Sequence, residues 1–255
     1  MFKLSVAIIT LNEEKNIGRC IDSVLAVADE VLVLDSLSGD ATCAIAAAKG
    51  ARVIQEAFAG YIEQKNRALD LTTHDMVLSL DADEALDETL QKAIRKAKEG
   101  EAAAGYTMNR CNYYCDKFIR HGAWYPDRKL RLFNKTKARW GGTNPHDKVE
   151  FAAGGTLLHL PGDILHYSYH SIDEHIQQNN RFSTISAESY LARGKKTSLF
   201  KIVFNPCWAF FSGYILKRGF LDGFYGYVIA RNVAHLTFLK HAKLYQLQKK
   251  HQKGS

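Results

Sequence analysis

Asp75-Met76-Val77-Leu78-Ser79-Leu80-Asp81-Ala82-Asp83-Glu84 is the stretch on which the fold turns. Residues 75–80 are a short apolar run with the length of a buried strand. They end in carboxylates, and a helix is expected from about 86 to 99. The same pattern recurs upstream. Leu4-Ser5-Val6-Ala7-Ile8-Ile9-Thr10 reads as a strand buried on both faces. Ile17, Cys20, Ile21, Val24 and Leu25 then repeat at helical spacing over 14–27. A second strand, 30–35, ends at Asp35. An Ala-rich helix at 41–49, a short strand at 51–55 and a helix at 61–71 complete the series. Strands alternating with helices imply right-handed βαβ units and a largely parallel sheet, hence an α/β fold. After residue 103 the rhythm changes to short β-like runs until about 170. Residues 172–192 and 198–250 read as helical.

The chain has 255 residues, 46% of them hydrophobic and 24% charged, which excludes a disordered or low-complexity protein. Its five cysteines are odd in number and scattered, so reduced thiols and a cytosolic compartment are expected. Charge is unevenly placed. Residues 193–255 hold 12 Lys/Arg and one acid, a net +11, whereas residues 1–192 carry −4. The expected division is therefore a main α/β domain over 1–192 and a helical, basic, aromatic extension over 193–255. Within the extension, residues 199–216 are very apolar but interrupted by Lys201, Asn205 and Pro206, and ten aromatics fall between 200 and 227. Aromatics flanked by Lys217, Arg218 and Arg231 suit a helix lying in the headgroup layer of an anionic membrane. Core packing or an oligomer contact is the competing reading of this run; a nucleic-acid surface would carry more evenly spread cations and fewer bulky apolar groups.

Ligands of open parallel sheets sit at the carboxyl ends of strands. Three polar clusters fall there: Thr10-Leu11-Asn12-Glu13-Glu14, Asp35-Ser36 and Asp81-Ala82-Asp83. Read as extended chain, Asp81 and Asp83 share a face and suit a divalent cation, Mg²⁺ or Mn²⁺, that also binds a diphosphate. The competing reading makes Asp83 a helix cap. Asp35 is placed to accept from a ribose hydroxyl or a base. Asn12 and Glu13 can contact a base, or Asn12 can cap the following helix; Lys65 can meet a phosphate or stand on a solvated helix face. The chain has neither G-x-G-x-x-G after its first strand nor a P-loop, which argues against dinucleotide enzymes and P-loop NTPases.

The run from Ser5 to Glu14, Val33-Leu34-Asp35-Ser36 with Ser38-Gly39-Asp40-Ala41-Thr42, and Leu78 to Glu84 together resemble glycosyltransferase family 2. Within it, the chain is most similar to the lipopolysaccharide-core β-1,4-glucosyltransferase-like branch. The resemblance is strong over 3–105 and looser to about 245. It implies a GT-A, Rossmann-like fold and inverting transfer of glucose or a related hexose. The implied donor is a nucleotide-diphosphate sugar, expected to be a UDP-sugar. Asp35 would hold the nucleoside, Asp83 the metal, and Asp81 would face the nucleotide sugar or a metal-bound water. The implied base is a carboxylate after the middle of the domain; Asn144-Pro145-His146-Asp147 is the nearest match, giving Asp147 as base and His146 as its neighbour. Trp124, Arg128 and Arg131 lie in the segment that resembles the one before that loop, where a ring can stack on a sugar and guanidiniums can meet anionic acceptor groups. A lipid-linked or lipopolysaccharide-core acceptor at the inner face of the cytoplasmic membrane follows. A sugar nucleotidyltransferase and a non-catalytic sugar- or membrane-binding module are the alternatives.

Overall fold

The apolar run Leu4–Thr10 forms β1, at the centre of the parallel part of the sheet. The computed structural model describes residues 1–143, 146–152 and 154–253, without the side chains at 143, 146 and 251–253. After β1 come α1 (Ile17–Val24), β2 (Glu30–Asp35), α2 (Thr42–Ala48), β3 (Arg52–Gln55), α3 (Tyr61–Leu71) and β4 (Met76–Asp81). β2 and β4 flank β1 in parallel, and β3 adds beyond β2. The register sets Thr10 opposite Asp35 and Ile9 opposite Asp81. The polar ends of three strands are thereby brought level at one edge.

The chain continues through β5 (Glu84–Leu86), α4 (Glu88–Glu99), β6 (Gly105–Tyr114), β7 (Lys117–Phe118), β8 (Asp127–Asn134), β9 (Ala138–Thr143), β10 (His146–Phe151) and β11 (Leu157–Tyr169). The sheet order is β3-β2-β1-β4-β8-β6-β11-β5. β1 to β4 pair in parallel; β8 runs antiparallel to β4 and to β6, and β11 to β5, while β11 runs alongside β6 in the same direction, Thr107 Oγ1 donating to the Leu158 carbonyl and Ser168 Oγ to the Tyr113 carbonyl. β8 returns antiparallel to β6 because a short link without a crossover helix separates them. β9 and β10 form a separate hairpin.

Two compact units result, Met1–Arg110 with Asp127–His166, and Cys111–Pro126 with Tyr167–Ser255. In the first, Leu4, Val6 and Ile8 of β1 meet Ile17, Ile21 and Val24 of α1 on one face of the sheet. Ala7 lies on the other face with Leu34, Leu69, Phe133 and Trp140.

The second unit is built on α5 (Ile172–Ala192), α6 (Leu199–Phe211), a π-helical turn (Ser212–Leu216) and α7 (Gly223–Lys253). Its boundary differs from a division at 192/193. α5 buries His175, Asn179, Ser183 and Ala187, one residue per turn, against α7, so it belongs with the helices that follow. Asn179 Nδ2 donates to the Asn232 carbonyl at 3.3 Å, and Lys243 Nζ to Ser183 Oγ at 2.8 Å. His175 Nδ1 accepts from Asn232 Nδ2 at 3.2 Å and sits 3.0 Å from the Tyr114 hydroxyl.

Burial pulls His175 down from 6.5 to about 4. The unfolded chain therefore takes up this proton first as pH falls. Stability from a neutral His175 is complete above pH 6.5 and is lost as pH drops toward 4, by on the order of 3 kcal/mol across that window. Thermal melting of the full chain against pH, compared with His175→Gln, measures it: the variant's curve is flatter over this interval.

Candidate active site

Two cavities open at the carboxyl edge of the parallel strands. The first, about 400 Å³, is lined by Thr10, Glu13, Ser36, Tyr61, Asp83 and His166 among others. Thr10 is 5% exposed, and its hydroxyl has no hydrogen-bond partner among the described residues. An orphaned buried hydroxyl on a cavity wall is a polar group for a ligand to satisfy. At the rim Phe58 meets Tyr61 edge-on, with ring centroids 5.2 Å apart. The loops after β1 and β2 are stapled together. Asn12, at φ 54°, donates from its backbone to Ser38 Oγ at 2.7 Å and accepts from the Gly39 amide at 2.9 Å. Glu13 donates from its amide to Thr42 Oγ1 at 2.8 Å and accepts from Asn16 Nδ2 at 2.7 Å.

Asp35 is wholly buried, and its carboxylate accepts from the Ser38 amide, the Ser38 hydroxyl and Gln55 Nε2. Burial acts to raise its pKa, but hydrogen bonds from Ser38, Gln55 and Cys43 together outweigh it and hold it below the usual range. It organises the turn, and Ser36 rather than Asp35 reaches the cavity wall.

The carboxylate pair is built differently from an extended segment. Asp81 closes β4, whereas Ala82 and Asp83 form a turn held by the Asp81 amide donating to Glu84 Oε2 at 3.0 Å. The two carboxylates line the same cavity but take different partners. Asp83 lies 3.2 Å from His166 Nε2. It does not cap α4; Asp87 does, accepting from the Leu90 amide at 2.7 Å. Among the described residues no three His, Cys, Asp or Glu gather into a metal cage. One carboxylate and one imidazole suit a cation whose other ligands are water and phosphate oxygens, so Asp83 and His166 fit a divalent ion arriving with a diphosphate.

Asp81 points into an ionic knot. Lys65 Nζ lies 3.2 Å from Asp81 and 2.8 Å from Asp147, and 4.4 Å above the Trp140 ring. Arg131 pairs with Glu84 at 2.8 Å and Asp81 at 3.4 Å. Trp140 Nε1 donates to Ser79 Oγ at 3.2 Å. Burial alone would raise Asp81, but Lys65 and Arg131 overcome it and hold the carboxyl well below the carboxylate range. Lys65, Arg110, Arg128, Arg131 and Asp147 line the second cavity, of about 540 Å³. Asp81 lines both cavities, the one described residue that does.

The model of the family described as glycosyl transferase family 2 matches residues 5–156. The chain belongs to that family. It is 35% identical to an uncharacterized glycosyltransferase of Rickettsia typhi over 98% of this chain and 89% of the relative. It is 30% identical to the lipopolysaccharide core biosynthesis glycosyltransferase LpsC of Rhizobium meliloti, over 95% and 92% of the two chains. Glucosyl-3-phosphoglycerate synthase from Mycobacterium tuberculosis, solved with Mn²⁺ and UDP-glucose, is similar over 44% of each chain, with 29% identity and a TM-score of 0.35. The protein is thus a family 2 glycosyltransferase, and its α/β architecture is the GT-A, Rossmann-like fold expected of one.

In this glycosyltransferase Thr10, Glu13, Asp81 and Asp83 stand on the first cavity. Lys65, expected beside a phosphate, lines the second and is taken up by two carboxylates. Arg131 is buried in ion pairs, whereas Arg128 is exposed with no partner among the described residues. Trp124 belongs to the other unit, where it stacks on Tyr169 at 5.4 Å and meets Tyr114 edge-on. The His146 side chain lies outside the described residues. His166 carries no local motif; only its place on β11, paired opposite Glu84, brings it to Asp83.

The two arginines should respond oppositely to truncation. Arg131→Met strands Glu84, whose side chain has no solvent exposure, and is expected to cost about 3–5 kcal/mol. Arg128→Ala removes an exposed side chain and should stay within about 0.5 kcal/mol of the parent. Urea unfolding of the two variants measures both.

Proposed function

We propose that the protein transfers a hexosyl group, glucose or a close relative, with inversion. The donor is a nucleotide-diphosphate sugar, read as a UDP-sugar, in the first cavity. The acceptor is a hydroxyl of a lipopolysaccharide-core or other lipid-linked glycan in the second. The observation that carries this reading is the shared wall: Asp81 faces both cavities, so occupants of the two meet beside one carboxylate. The relative named for lipopolysaccharide core biosynthesis supports the acceptor class. A lipid-linked acceptor puts the enzyme at the inner face of the cytoplasmic membrane.

In this reading Asp147 is the general base, a carboxylate on the acceptor side set in place by Lys65 at 2.8 Å. It takes the proton of the acceptor hydroxyl as that oxygen bonds to the anomeric carbon. The bond from that carbon to the diphosphate breaks on the opposite face, and the nucleoside diphosphate leaves with the electron pair. Asp83 and His166 would hold Mg²⁺ or Mn²⁺, which when bound neutralises negative charge on the leaving diphosphate. Thr10 offers its unsatisfied hydroxyl to the donor. On the acceptor side Arg128 is a cation without a partner among the described residues, able to take an anionic group of the glycan.

Incubating the enzyme with a panel of nucleotide sugars, Mn²⁺ and core oligosaccharide tests the reaction. Release of nucleoside diphosphate with a glycosylated product is expected; release of pyrophosphate instead overturns it. Asp147→Asn keeps the shape and removes the base. Donor binding should survive while transfer falls by ~10²–10⁴-fold; transfer within a few-fold of the parent places the base elsewhere. Asp83→Ala should abolish the gain in UDP affinity that Mn²⁺ confers, read by titration calorimetry, because phosphate charge then meets Asp81 unscreened.

A further inference from the structure

The second unit has a small apolar core, built on Tyr114, Ile119 and Ile229, and buries an unusual share of polar groups beside it. His175, Asn179, Ser183, Asp222 and His241 are among its buried residues. Asp222 receives the Arg120 and His121 amides at 3.1 and 2.8 Å, and His241 lies 3.0 Å from both Thr197 Oγ1 and Asn205 Nδ2. Large apolar side chains face outward instead. α6 buries none of its thirteen residues. Phe200 is 70% exposed, Val203 68%, Trp208 52% and Phe224 67%. Phe200, Phe204, Trp208, Phe211 and Ile215 recur every three or four residues, so they form one stripe down a helix. In a water-facing helix that stripe is polar. Small and polar residues at helix contacts, with apolar residues outside, are the arrangement of helices solvated by lipid.

The ends of the stripe are basic. Lys195, Lys196 and Lys201 stand exposed at its start, and Lys217 and Arg218 at its end. Two copies joined through this face would set like charges around one contact, whereas an anionic surface complements them. Residues Leu199–Leu216 have a mean hydropathy of 1.3 over 18 residues, long and apolar enough by composition to cross a bilayer. Packing opposes a crossing. α6 turns a second side to α7, where Phe210 meets Tyr227 at 6.0 Å and Asn205 bonds His241. A helix with protein along one side and apolar residues along the other suits the plane of the interface.

We propose that α6 and the π-helical turn after it are inserted, lying flat, into the headgroup–acyl boundary of an anionic lipid bilayer. Phe200, Phe204, Trp208 and Phe211 enter the apolar layer, and the five cations lie among the headgroups. The inference deepens the lipid-linked acceptor reading and rests on it for its purpose. Binding itself needs neither donor nor acceptor, so it is tested apart from transfer.

Flotation of the full chain with vesicles of phosphatidylglycerol and phosphatidylcholine is the experiment. Binding is expected at low salt. A large bound fraction should remain at ~1 M salt, where charges are screened beyond ~3 Å. Trp emission should shift to the blue on adding vesicles, and Trp208→Phe should remove the shift. Phe200→Ser/Phe204→Ser/Phe211→Ser, all exposed positions, should keep the helical circular dichroism and lower the bound fraction at high salt by about tenfold or more. If the triple variant loses its helical signal, Phe200→Ser alone carries the comparison, with a smaller loss expected. Absence of binding at low salt overturns the proposal, as does complete release at ~1 M, which marks adsorption by charge alone. A stable dimer that buries Trp208 and ignores vesicles also overturns it. An enzyme that binds vesicles and transfers no sugar instead contradicts the proposed reaction and leaves the insertion standing.

Discussion

One ammonium group holds the site together. Lys65 is 5% exposed and lies between Asp81 and Asp147, carboxylates from strands distant in sequence. Without a cation there, two negative charges would share a partly dry wall, and Glu84 would add a third behind them. Arg131 answers that third charge and reaches Asp81 as well. The aromatic face of Trp140 supports both cations, Lys65 at 4.4 Å and Arg131 at 5.4 Å. Removing Lys65 or Arg131 leaves buried carboxylates facing one another. The edge of the sheet, the β9–β10 hairpin and α3 are thereby tied at a single point.

The parallel half of the sheet was legible because its strands are continuous apolar runs with helical spacing between them. Leu4–Thr10 and Glu30–Asp35 end as the pattern predicts, and Met76–Asp81 is displaced by one residue from 75–80. The carboxylates at 81 and 83 were legible for the same reason, as polar residues ending an apolar run. The turn between them was not. It depends on Glu84 folding back to the Asp81 amide, a choice that side-chain periodicity does not record. Lys65 reads as a solvated helix cation until the hairpin carrying Asp147 is laid beside it. His166 and Trp124 show the same limit from opposite directions. A histidine in an ordinary strand reaches the cavity through sheet pairing, and a tryptophan in a motif-like segment packs among Tyr114, Tyr169 and His175 instead.

The two units balance polar and apolar groups in different ways. The first follows the usual rule, with Leu, Val and Ile inside. Its buried charges are paired, which offsets the cost of removing them from water. The second keeps histidine, asparagine, serine and aspartate inside and satisfies them locally. Glycines make that packing possible: a Cβ at Gly226 would fall 1.9 Å from the Gly219 carbonyl oxygen, so the chain crosses itself there backbone to backbone.

A carboxylate that faces two cavities makes their occupants thermodynamically dependent. A unit charge placed ~4 Å from Asp81 changes the energy of that group by about 4 kcal/mol at an effective dielectric of ~20. Lys65 and Arg131 must then redistribute between their partners, and Asp147 feels the change through the same ammonium. Whatever free energy the first ligand lends to the second, the second returns in equal measure to the first. The wall between the cavities is therefore also the element through which each chamber registers the filling of the other.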